Sequence, residues 1–236
     1  MTEQKYELLQ NDAIEHNGRT LYRIKALISF GSVLAGSPGG YIENEKNLDQ
    51  SGNAWVYGDA QVYGNARVYG GARVYGNALV YGNALVCGNA RVCGDARVYG
   101  DAQVYGNAWV YGDTRVCVNA RVYGDARVYG DARVYGDARV YGDTWVYGDA
   151  WVYGNARVCD NAQVYEKNMI FTASNVGREN STLTVYNGKD GLIVTRGCFT
   201  GTVEEFLARS AEVHDEKTKR EYQLLIEVAK SRILGE

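Results

Sequence analysis

The sequence predicts a mainly β protein: a parallel β-helix of six-residue repeats with an N-terminal β cap and a small C-terminal α+β module. Two observations carry this. From Gly52 to Tyr165 the chain is nineteen consecutive hexads of the form G-[ND]-A-x-V-Y, without a slip of register, and a fixed short period marks a stacked repeat architecture. On either side the period stops and the composition changes, dividing the chain into residues 1–51, 52–165 and 166–236.

Within a hexad such as Gly124-Asp125-Ala126-Arg127-Val128-Tyr129, small apolar, polar, β-branched and aromatic residues alternate. That is a short strand with Ala and Val on one face. Gly followed by Asn or Asp then breaks the strand, because these residues tolerate left-handed backbone at a tight corner. A period of six with Gly punctuation does not fit a helix. One such strand cannot bury its own Ala and Val, so coils must stack with Val over Val at a spacing of about 4.8 Å. Three hexads per coil close a triangular prism, and nineteen make six coils and one further side, a rod of roughly 30 Å.

Every third hexad then shares a face. The outward positions of the first face read Trp55, Arg73, Arg91, Trp109, Arg127, Trp145 and Gln163, with tyrosines in parallel rows beside them. Trp, Tyr and Arg are enriched at binding hot spots, so this stripe is a candidate partner surface. The same residues also stack on one another, and guanidinium groups lie well over aromatic rings, so the ladders can serve the fold alone. Stacked arginines such as Arg97, Arg115 and Arg133 repel, and corner residues Asp95, Asp113 and Asp131 are expected to offset them.

The hexads resemble the hexapeptide-repeat superfamily, whose left-handed coil is the only source of handedness here, since strand crossovers are ordinarily right-handed. Leu21–Leu27, Gly39-Gly40-Tyr41-Ile42-Glu43 and Asn47-Leu48, leading into Gly52-Asn53-Ala54-Trp55-Val56-Tyr57, resemble the opening module of YdcK-like proteins of bacteria and phages. The resemblance implies trimers packed along the prism. It also raises acyl transfer, which in the superfamily uses a histidine base and an acetyl-CoA or acyl-carrier groove between subunits. This chain has only His16 and His214, both outside the repeats, and no loop interrupts the hexads to build a pocket. The related three-histidine zinc site has no counterpart, and no metal is expected.

Formal charge is −3, and Arg and Asp are equally numerous in the repeat block, so no electrostatic funnel draws in nucleic acid. Cys87, Cys93, Cys117 and Cys159 occupy the tyrosine slot, and with Cys198 they form an odd set without paired spacing, which reads as free thiols. No basic stretch precedes an apolar run at MTEQKYELLQND, and no apolar segment is long enough to cross a bilayer. The expectation is a soluble cytoplasmic protein.

An open β-helix needs caps at its ends. Tyr6–Gln10 and Thr20–Phe30 read as strands about an Asn17-Gly18 turn, with His16 exposed beside it, followed by a Gly-rich loop from Gly36 to Gly40. After Tyr165, Met169–Ala173, Ser181–Tyr186 and Leu192–Arg196 read as strands. Thr202-Val203-Glu204-Glu205 is a capping box opening a helix, and a second helix covers about Glu216–Ile233, with His214 between the two. This tail resembles a module of bacterial and prophage proteins. It offers Arg178, Arg196, Cys198 and Tyr222 as a candidate small-ligand or partner site.

The function read from these features is a non-enzymatic structural or interaction protein, of phage or prophage origin, that self-associates or binds a protein through its Trp/Arg/Tyr ladders without a cofactor. The alternatives are an acetyl-CoA-dependent acyltransferase and a nucleotide or nucleic-acid binder.

Overall fold

A computed structural model describes residues 4–159 and 161–235; Asp160, which opens the last hexad, lies outside them. Nineteen two-residue strands, β4 (Trp55–Val56) to β22 (Gln163–Val164), begin every six residues. Each of the first sixteen pairs in parallel with the strand 18 residues on, as Trp55 with Arg73 and Val56 with Val74. Three sheets result. One has seven strands and one six, and the third continues into the N-terminal cap to make nine.

The Ala and Val of the repeats form one continuous buried core. Thr114 and Thr144 take two Ala slots, buried because their hydroxyls donate to the Tyr111 and Tyr141 carbonyls. At the corners, positive φ recurs, for example 73° at Gly106. A Cβ there would lie 2.9 Å from the Gly124 nitrogen one coil away, so coil spacing itself demands glycine. Among the described residues, a corner aspartate forms an ion pair with an arginine only at Asp59, 3.8 Å from Arg23 of the cap. Instead Asn77, Asn83, Asn107 and Asn119 donate across coils to Asp95, Asp101, Asp125 and Asp137. The short Asn and Asp side chains stack above one another, in reach of each other before any arginine.

The N-terminal cap is a hairpin, β1 (Tyr6–His16) and β2 (Arg19–Ala26), followed by β3 (Pro38–Ile42). β1 runs further than expected and β2 stops short of Phe30. The stretch expected as a Gly-rich loop supplies part of β3, which pairs antiparallel with β2 and parallel with Gln61–Val62 of the first coil. Gly39 and Gly40 make this possible, since a Cβ on either would come within 2.7 Å of first-coil backbone oxygens. His16 is not a free turn residue; its ring lies 5.2 Å from that of Tyr63 and tops a tyrosine ladder.

The C-terminal module is a four-stranded antiparallel sheet, β23 (Ile170–Val176), β24 (Ser181–Gly188), β25 (Gly191–Arg196) and β26 (Phe199–Thr202), with helices α1 (Val203–Val213) and α2 (Glu216–Leu234). β26 is additional to the strands read from sequence; its short F-T-G-T run lacks an alternating apolar pattern. The capping box forms as expected, Thr202 Oγ1 accepting from Glu205 N–H and Glu205 Oε2 from Thr202 N–H. The module seats on the last coil through Tyr186, whose hydroxyl donates to the Cys159 carbonyl, and Thr195, whose hydroxyl donates to that of Arg157.

Candidate functional surface

On the first face the residues at the outward position divide into two groups. Trp55 does not belong to the exposed stripe: it is fully buried, with Tyr6 and Phe30 edge-on at 6.0 and 5.3 Å. The cap folds over the first coil and uses this indole as its core, a contact between segments that strand periodicity cannot register. Further along, Arg91, Trp109, Arg127 and Trp145 form an alternating stack. Guanidinium-to-ring distances are 4.7 Å from Arg91 to Trp109, 5.8 Å from Arg127 to Trp109 and 5.1 Å from Arg127 to Trp145. The two indoles remain 37% and 39% exposed.

Strand geometry sets this order. Parallel in-register strands place each outward residue over its counterpart one coil away, so Arg and Trp alternate in space because they alternate at 18-residue steps. Arg127 is attracted to the ring faces on either side and Arg91 to the one above it, which restrains both guanidinium groups. Beside the stripe, Tyr111, Tyr129 and Tyr147 stack face to face at 4.8 and 5.0 Å. At its cap-proximal end Arg73 and Arg91 join Tyr57, Tyr75 and Ser32 around a shallow cavity of about 380 Å³.

Three of the cysteines in tyrosine slots sit within ladders rather than in reactive pockets. Cys93 contacts Tyr75; burial raises its thiol pKa, while burial, assisted by the Cys93 contact, pushes the Tyr75 phenol up to about 12. A thiol so raised is a poor nucleophile. Cys159 is buried beneath the C-terminal module, with its Sγ 3.4 Å from the Tyr186 hydroxyl.

In the C-terminal module the four candidates separate. Arg178 lines one cleft with Lys217 and Arg220. Arg196 and Cys198 line another with Arg209, Ser210 and His214. Tyr222 is fully buried and offers a ligand no surface; its ring lies 5.2 Å from the Arg196 guanidinium and supports it from below. His214 lies at the boundary expected between the two helices and caps α1. Arg209 went unremarked, although the spacing of Phe206, Arg209 and Ser210 along α1 would have placed it on the edge of the apolar stripe.

Among the described residues, no group of three or more His, Cys, Asp or Glu side chains could hold a metal, and no helix is long and apolar enough to cross a membrane. Three parallel sheets wound from one chain define the class: a β-solenoid repeat protein. The rod carries YdcK beta solenoid repeats, matched at residues 60–74, 72–88, 90–104, 102–117, 120–136, 132–148 and 150–166. No curated protein matches this chain.

Proposed function

We propose that this is a non-enzymatic interaction protein, a hexapeptide-type solenoid with a left-handed coil, whose first face binds protein, foremost a second copy of itself. The observation that carries this is the alternating Arg91–Trp109–Arg127–Trp145 stack, with both indoles more than a third exposed. Holding large aromatic and arginine side chains in one geometry before contact removes part of the ordering cost that an interface otherwise bears. The coil backbone is hydrogen-bonded from one turn to the next along its length, so the surface is presented on a rigid support.

Light scattering of the purified chain tests this, with and without acetyl-CoA. The reading expects a discrete oligomer, foremost a trimer, that is indifferent to acetyl-CoA and loses mass when Trp109 and Trp145 are replaced by alanine. Saturable stabilisation by acetyl-CoA would replace it with acyl transfer. Association with nucleic acid that weakens steeply with salt would replace it with a nucleic-acid role.

A further inference from the structure

The cleft between the β25–β26 turn and the C-terminal half of α1 is a separate feature from the rod. Its volume is about 300 Å³, and Arg196, Arg209, Ser210 and His214 line it together with Phe199 and Phe206. Arg196 is the unusual member. Its side chain is only 11% exposed, and its Nε and Nη2 atoms are buried without a hydrogen-bond partner. Buried donors of this kind are costly to leave unmet, and a guanidinium cannot shed its charge to relieve the cost.

Two oxygens stand near, and the Tyr222 hydroxyl, itself buried, is one of them. Glu179 Oε2 lies 3.4 Å from Arg196 Nη2, but that carboxylate is 73% exposed and out of line for a hydrogen bond. The chain's own carboxylate thus approaches the guanidinium without satisfying it. Arg196 cannot turn away, because Tyr222 stacks beneath it and Gly177 closes on both; a Cβ at Gly177 would lie 1.9 Å from the Tyr222 hydroxyl oxygen and 3.2 Å from Arg196 Nη2.

We propose that this cleft binds a small monocarboxylate with an apolar body. The carboxylate meets the edge of Arg196 that lines the cleft, a charge-assisted contact, and Arg209 adds a second cation from the exposed face of α1. The body lies against Phe199, with the buried Phe206 ring behind it. Charge selects the monoanion: Glu179 cancels one of the two arginines, and the C-terminal end of α1 adds partial negative charge at His214, so a dianionic phosphate is disfavoured.

Titration of the full-length protein with benzoate, followed by the arginine Nε–H signals in ¹H–¹⁵N spectra, tests the assignment, with R196K identifying the Arg196 signal. Benzoate should shift that signal saturably, while benzamide and inorganic phosphate at matched ionic strength should not. Arg209 is exposed, so R209Q should fold normally and weaken binding roughly tenfold, the effect of losing one charge-assisted contact. E179Q should tighten it, a direction general destabilisation would not produce. No saturable shift, equal binding in R209Q, or preference for phosphate would each overturn the proposal.

Discussion

The Arg127 guanidinium lies 5.1 Å from the centre of the Trp145 ring, stacked across one coil step rather than paired with a corner aspartate. Each such stack at an exposed site contributes about 0.5–1 kcal/mol, and Arg127 makes two, with Trp109 as the other partner. Arg127→Ala should therefore lower stability by about 1–2 kcal/mol, measured by urea denaturation. Trp109→Ala with Trp145→Ala removes three such stacks and should cost about 1.5–3 kcal/mol, yet abolish self-association in light scattering, which separates the surface role from the structural one.

Trp55 should behave in the opposite way. Buried between Tyr6, Phe30 and the first coil, it anchors the cap, and Trp55→Ala should cost about 3–5 kcal/mol. The loss should be local, since a solenoid's coils contact only their neighbours. Limited proteolysis should cut within residues 1–51 while the rod survives.

Val118 stands in a glycine slot with φ of 63° and is 50% exposed. Left-handed backbone costs a non-glycine residue about 1–2 kcal/mol, more for a β-branched one, and the half-exposed isopropyl group recovers little of this by burial. Val118→Gly should raise stability by about 1 kcal/mol in chemical denaturation, one of few glycine substitutions expected to do so.

Lys5 is buried, donating to the Ser51 and Ala54 carbonyls. Burial lowers its pKa to about 8 from the ordinary 10.5, with Asp49 opposing the shift. Between these values the unfolded chain holds more protons than the folded one, so cap stability should rise with pH across that window, the full cost of the buried ammonium being present below it. Tyr6 acts in the other sense: burial, with Glu45 and Asp49, raises its phenol above 10.0, and stability should fall as pH climbs beyond that. Hydrogen exchange in the cap against pH should show a maximum near pH 10, and Lys5→Met should remove the rising limb.

Gly177 has φ of 67° and no room for a Cβ beside Tyr222. Its N–H also donates to Glu221 Oε2. Gly177→Ala should loosen α2 from the sheet and expose Tyr222, read as increased quenching of tyrosine fluorescence by added acrylamide, with the solenoid's β signal in circular dichroism unchanged.

Much of this molecule is legible because its repeat leaves little choice. Ala and Val must be buried, the only way to bury them is to stack coils, and glycine returning every six residues fixes where each coil turns. The capping box Thr202-Val203-Glu204-Glu205 and the Asn17-Gly18 turn are similarly local, with the partners a few residues apart. What only the tertiary structure decided is how distant segments meet. Trp55 has the same sequence environment as Trp109, yet one is core and the other surface, because β1 and the Phe30 segment lie over the first coil. Asn77 bonds Asp95 rather than leaving it to an arginine, because side-chain reach across one coil favours the shorter pair. Arg196 and Tyr222 lie on different elements of a non-repeating module, and their stacking, with Gly177 closed against both, follows from packing that no period encodes.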